Sequence, residues 1–267
     1  MKHYGFIGLG SQGAPMALRM IEGGLDVVLW ARRPESLEPF ANTTARSTST
    51  IEELGSLVDY CGICVVDDDG VRQICERLIP VMRPGSCLVI HSTIHPALCR
   101  SLADAAAVAG ISLLDAPVSG GGGAATAGTL TVMVGGDAAV LEAARPVLAT
   151  FAGLITHLGG IGAGQMAKLV NNNLMAANLA VAHLAMELAE TAGIDQQAFK
   201  EFVAVSSGRS FSFEVRGRMR QPTDFAHGAQ LLAKDVRLLG EAVGQTSSYQ
   251  ALQAIAREFL DQALAKQ

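Results

Sequence analysis

At 267 residues, 49% of them apolar, the chain can bury a substantial core as one large domain or two modest ones. The net charge of −5 and the lack of a basic stripe exclude an obvious nucleic-acid binder. Strand patterns over Tyr4–Gly8 and Asp26–Trp30 flank a helix over Ala14–Ile21, which Gly23-Gly24 ends. Pro34 suits the start of a short helix. Further strands are expected at Cys61–Val66, Cys87–His91, Ser112–Leu114 and Leu130–Val134, with helices at Val71–Ile79, Pro96–Ala109 and Asp137–Phe151. Gly120–Gly123 reads as a loop. From Gly162 the pattern turns helical: one long helix over Ala163–Ala192, then Gln196–Val203, Phe225–Val243 and Tyr249–Leu264. The expected class is α/β. A doubly wound Rossmann domain over 1–160 precedes an all-helical domain over 161–267, and the long helix links them.

Cys61-Gly-Ile-Cys64 has CxxC spacing, but no second CxxC or His pair accompanies it. It lies in an apolar strand run and reads as core cysteine, so no metal is expected. The start of the chain runs straight into a Gly-rich loop without a signal-peptide pattern. Lys168, three Asn, His183, Glu187 and Glu190 interrupt the long helix, so it is not read as a membrane span. A cytoplasmic protein without membrane or nucleic-acid partners is the expectation.

Gly8-Leu9-Gly10-Ser11-Gln12-Gly13 sits between a strand and a helix. The first glycine permits a tight turn, the second lets a pyrophosphate approach the backbone, and the third lets helix pack on strand. Helix-start N–H groups then face the phosphates. The second strand runs into Ala31-Arg32-Arg33-Pro34, with arginines where an acidic residue would hold the ribose of NAD. A guanidinium pairs with a 2′-phosphate, so Arg32 points to NADP(H) as preferred cofactor, with NAD(H) as a second possibility.

Four segments extend this reading: Gly5-Phe-Ile-Gly-Leu-Gly-Ser-Gln-Gly-Ala-Pro-Met16; Asp115-Ala-Pro-Val-Ser-Gly-Gly121; Gly162-Ala-Gly-Gln-Met-Ala-Lys-Leu-Val-Asn-Asn172; and Lys234-Asp235. In order and content the chain resembles the β-hydroxyacid dehydrogenase family. The resemblance implies that Lys168 is the catalytic lysine and that Asn172 binds substrate one turn later. It implies that Ser119, Gly120 and Gly121 hold a substrate carboxylate, and that Thr93 stands beside the nicotinamide. Val66 and Asp67 would end the cofactor-lining strand, and Lys234 would serve substrate or cofactor.

The chemistry is consistent with these roles. Hydride transfer at a carbinol carbon requires a proton transfer at its oxygen, which a lysine with a lowered pKa can perform. Lys168 and Asn172, four residues apart, share a helix face. Glycine N–H groups suit a carboxylate. His91 and His95 flank Ser92-Thr93 but have no family role. Arg209, near Ser207, Ser210 and Phe211, either holds a second anion or is solvated.

The tail departs from the family: Gly244-Gln-Thr-Ser-Ser-Tyr-Gln250 replaces a Pro-containing turn, and a later Gly-rich segment ending in Asp has no counterpart. A small 3-hydroxy acid or semialdehyde is the expected substrate. An imine reductase-like enzyme and a silent NADPH-binding sensor are the alternatives. The long helix is too apolar for one buried face, which points to a homodimer or homotetramer.

Overall fold

The computed structural model describes residues 2–265; Met1, Lys266 and Gln267 lie outside the described residues. Its contacts divide the chain into two units, Met1–Lys168 and Leu169–Gln267.

In the first unit the strands and helices alternate: β1 (Tyr4–Ile7), α1 (Gly13–Glu22), β2 (Val27–Trp30), β3 (Arg46–Ser47), α2 (Ile51–Leu57), β4 (Tyr60–Ile63), α3 (Asp68–Leu78), β5 (Cys87–Ile90), α4 (Pro96–Val108) and β6 (Ser112–Asp115). Then follow β7 (Val118–Ser119), α5 (Gly121–Ala127), β8 (Leu130–Gly135), α6 (Ala138–Leu148), β9 (Ala152–Gly159) and α7 (Ala163–Thr191), which continues into the second unit. The strands form one sheet in the order β3-β2-β1-β4-β5-β6-β8-β7, with β9 on β8. From β3 to β6 every pairing is parallel, whereas β8 runs antiparallel to β6 and β7.

Both faces of the sheet are covered, as a parallel sheet requires. Successive side chains of β1 point to opposite faces. Phe6 packs with Met16 and Met20 of α1, Ala125 of α5 and Leu148 of α6. Ile7 packs with Leu54 of α2, Val71 of α3 and Leu98 of α4. The chain leaves β1 toward β2 and returns at β4 on its other side, so a crevice opens beyond the carboxyl ends of β1 and β4.

Several boundaries differ from the sequence reading. The strand expected to reach Val66 ends at Ile63, and the helix expected to reach Phe151 stops at Leu148, followed by β9. β9 is partly exposed and carries Gly153 and Gly159, so neither alternation nor propensity marks it. Gly120–Gly123 is not simply a loop, because α5 starts at Gly121. Glycine is a poor helix former; α5 forms where it packs against α1 and buries Ala125.

His91 is buried between Phe6 and Phe151, at ring-centroid distances of 6.0 and 5.5 Å. Its Nδ1–H donates to the Ala116 carbonyl at 2.9 Å, leaving Nε2 as acceptor 3.5 Å from the Tyr60 hydroxyl. Burial lowers its pKa from 6.5 to about 4. His91 is therefore a neutral core residue. Between pH 6.5 and 4 the unfolded chain takes up a proton that the folded imidazole refuses, so stability falls with pH by about 3 kcal/mol. Urea titrations should show this slope in the wild type and a flatter one in His91→Phe, which is less stable at neutral pH because Ala116 loses its donor. Equal slopes would exclude His91 as the source.

The second unit is helical: the rest of α7, then α8 (Gln196–Ala204), α9 (Phe211–Gly217), α10 (Ala226–Val243) and α11 (Ser247–Leu264). Asp195, Ser210 and Thr246 cap α8, α9 and α11 by accepting from Ala198, Phe213 and Tyr249 N–H. The Tyr249 hydroxyl donates to Val236 carbonyl at 3.1 Å and ties α11 to α10. Val170, Leu174, Val181, Leu184 and Leu188 of α7 remain exposed. Among the described residues no helix is long and apolar enough to cross a membrane.

Candidate active site

The loop after β1 meets the demands of its three glycines. Gly8 has φ +99°, and a β-carbon there would strike the Cys64 carbonyl leaving β4. A β-carbon on Gly13, which opens α1, would strike the Gly8 carbonyl. At Gly10 nothing lies within 4 Å of that position. The loop is thus closed on the protein side and open at its middle glycine, the cradle a dinucleotide pyrophosphate needs. Leu9 and Gln12 are half-buried and Ser11 is exposed.

Beyond β2, Arg32 and Arg33 are exposed. Beyond β4, Val66 is 70% exposed, and the Asp67 carboxylate caps α3 by accepting from Gly70 N–H at 2.9 Å. The Ser92 hydroxyl accepts from Val65 N–H at 2.8 Å, joining the ends of β4 and β5 just before half-buried Thr93. Ser119 pairs with Thr131 at the end of β7, and Gly120 and Gly121 follow with φ +128° and +70°. A β-carbon on Gly122 would lie 2.8 Å from the Ser11 carbonyl, so this turn packs directly on the glycine loop.

Lys168, 9% exposed, lies on α7. Buried Asp115, ending β6, accepts from Gly162 N–H at 2.7 Å and Gln165 N–H at 2.8 Å, holding the start of α7. Burial pushes its carboxyl above the usual range, and these N–H groups oppose the rise. The Gln165 side chain reaches the residues either side of Thr93, donating to Ser92 carbonyl at 2.8 Å and accepting from Ile94 N–H at 3.0 Å.

In the second unit Asn172, 8% exposed, donates through Nδ2 to Asp235 at 2.6 Å. The other oxygen of Asp235 pairs with Lys234 Nζ at 3.2 Å. Lys234, half-buried, thus meets the buried Asp235 that also holds Asn172. Arg209 is exposed in the α8–α9 turn. His95 caps α4, its Nδ1 accepting from Ala97 N–H. Burial pushes up the Cys61 and Cys64 thiols, the latter to about 12, which keeps them protonated.

The first unit thus brings together the glycine loop, the Ser119 turn, the ends of β4 and β5, and the start of α7. Sequence reading assigned no role to Asp115, Gln165 or Asp235. All three lie within the segments that carry the family resemblance, and Asp115 and Gln165 also stand out as polar side chains amid apolar neighbours.

Residues 3–160 match the family model described as the NAD binding domain of 6-phosphogluconate dehydrogenase. Residues 162–267 match that described as NAD-binding of NADP-dependent 3-hydroxyisobutyrate dehydrogenase. The NAD-dependent L-serine dehydrogenase of Pseudomonas aeruginosa is 36% identical, over 93% of this chain and 87% of that protein. A solved 3-hydroxyisobutyrate dehydrogenase of Mycobacterium tuberculosis with L-serine superposes with TM-score 0.85 at 30% identity, covering 98% of this chain and 95% of that one. Psf3 in complex with NADP+ and 2-OPP gives TM-score 0.85 at 25% identity, covering 97% and 93%.

Fold, glycine loop and matches define the class: an oxidoreductase that uses a nicotinamide dinucleotide. The chain belongs to the β-hydroxyacid dehydrogenase family, whose members act on the CH–OH group of hydroxy acids.

Proposed function

We propose that the protein transfers hydride reversibly between NADP(H) and a small 3-hydroxy acid or semialdehyde, with Lys168 moving the proton. The observation that carries this reading is Lys168 itself, a nearly buried cation one turn before nearly buried Asn172 on a helix anchored by Asp115. One turn separates the two residues by about 6 Å along the helix axis.

The cofactor, when bound, supplies or accepts the hydride. Gly8–Gly13 would cradle its pyrophosphate, Val66 and Asp67 would line the cofactor beyond the end of β4, and Thr93 would stand beside the nicotinamide. Ser119 and the N–H groups of Gly120 and Gly121 hold the substrate carboxylate. In the reducing direction the Lys168 ammonium donates a proton to the carbonyl oxygen, and in the oxidising direction the amine takes it back. The Asn172 amide orients that oxygen. Lys234, paired with Asp235, is a further cation assigned to substrate or cofactor.

Arg32 supports the NADP(H) preference. Relatives bear on both cofactors, since the serine dehydrogenase is named NAD-dependent whereas Psf3 was solved with NADP+. The L-serine with which the mycobacterial enzyme was solved is itself a small 3-hydroxy acid, which supports that substrate class.

The test is cofactor oxidation with succinic, tartronic and methylmalonic semialdehydes and glyoxylate, and the reverse reaction with L-serine. Turnover is expected to favour NADPH, and Arg32→Asp should weaken NADPH binding by roughly 10- to 100-fold while sparing NADH, the worth of a charge-assisted contact. Equal use of both cofactors by the wild type would remove the Arg32 assignment. Binding without turnover would favour a nitrogen-containing substrate or a silent sensor.

A further inference from the structure

We propose that Gln165 is a positioning residue for hydride transfer, locking the backbone on both sides of Thr93 to the first turn of the helix that carries Lys168. The inference rests on the reading above, in which Thr93 lines the nicotinamide side and Lys168 moves the proton.

Gln165 is 0% exposed, and each end of its amide is used. Nε2 donates to Ser92 carbonyl at 2.8 Å, and Oε1 accepts from Ile94 N–H at 3.0 Å. The partners assign the amide orientation, because a carbonyl needs a donor and an N–H needs an acceptor. The loop here has left β5 and begins no new element until Pro96, so these backbone groups have no ladder partner. A single side chain therefore replaces the missing strand neighbour, and does so on the two peptide groups that flank Thr93.

The same residue is held from behind. Its backbone N–H donates to Asp115, whose other oxygen takes Gly162 N–H. The end of β6, the loop after β5 and the start of α7 thus meet at Gln165. Three residues later the helix presents Lys168. A glutamate in this place would set a carboxylate against the Ser92 carbonyl and near buried Asp115, so the neutral amide is required. Reaction rates are sensitive to shifts of about 1 Å in such frameworks, which makes a rigid link between Thr93 and Lys168 consequential for chemistry.

The test uses Gln165→Met, Gln165→Asn, Thr93→Ala and the double variant Gln165→Met/Thr93→Ala. They are assayed with NADPH and the fastest aldehyde-acid of the panel. Gln165→Met should lower kcat by roughly 10- to 100-fold with the KM for NADPH within about threefold. The isotope effect on kcat with C4-deuterated NADPH should rise as hydride transfer becomes limiting. The double variant should be little worse than the poorer single one, because Gln165 acts through Thr93. The emission of bound NADPH should shift in Gln165→Met, a readout that needs no substrate.

Unchanged kcat, isotope effect and NADPH emission, with only a lower melting temperature, would reduce Gln165 to a structural tie and overturn the proposal. If Gln165→Met fails to fold, Gln165→Asn, which keeps a neutral amide but falls one methylene short of the Thr93 loop, is read by the same criteria. Lys168→Ala separates the two ideas. Retained turnover there would sink the proton assignment, while non-additivity between Gln165 and Thr93 would stand or fall by itself.

Discussion

Lys168→Ala should lower kcat by roughly 10² to 10⁴-fold while NADPH affinity changes only a few-fold, as expected for loss of a general acid–base group. The residue is nearly buried, where a charged amine is costly unless it is paired or put to use. Alanine is a good helix former, and α7 is anchored three residues earlier by Asp115 through Gln165 N–H. The variant should therefore fold with its nucleotide site intact. Stopped-flow measurement of NADPH oxidation, with a parallel fluorescence titration of NADPH, separates chemistry from binding. Turnover within threefold of the wild type would end the proposed role.

The second large effect divides the glycine loop into two kinds of position. Gly10→Ala should leave the fold as stable as the wild type, or more stable by about 0.4–1 kcal/mol through the unfolded chain. Its φ is not in the left-handed region, and nothing lies within 4 Å of the new methyl. NADPH affinity should nevertheless fall by roughly 10- to 100-fold, because the methyl displaces the phosphates from charge-assisted N–H contacts. Gly13→Ala should behave in the opposite order. Its methyl is driven into the Gly8 carbonyl, so stability falls by about 1–3 kcal/mol even without cofactor. Urea unfolding and NADPH titration of both variants check the contrast. A Gly10→Ala protein that binds NADPH normally would mean that the pyrophosphate does not approach there.

Much of this was legible in the chain itself, and the misses are instructive. The β1–α1 junction, the long α7 and the helical character after Gly162 follow from hydrophobic periodicity and glycine placement within a few residues. Lys168 and Asn172 are visible together because helical spacing puts them on one face. Gln165, Asp115 and Asp235 were not assigned roles. Apart from the neighbouring Lys234 that Asp235 also meets, the partners named above lie 71 to 73, 47 to 50, and 63 residues away in sequence, and no local pattern encodes such distances.

The far side of the sheet shows the same limit. β9 has only β8 as its neighbour and remains partly exposed, so it lacks the apolar run that betrays a buried strand. α5 begins with three glycines that disfavour a helix, and packing against α1 overrides their preference. His91 flanks Ser92-Thr93 and has no family role. Only its surroundings, Phe6, Phe151 and the Ala116 carbonyl, make it a neutral core residue.

By itself the sequence determined the alternation of strand and helix, the glycine-rich loop after β1 and the shared helix face of Lys168 and Asn172, because each is written in side chains a few positions apart. Tertiary structure alone decided which polar groups are buried, which backbone groups they satisfy and where the chain reverses across the sheet. Those outcomes depend on desolvation and on contacts that exist only once distant segments have packed.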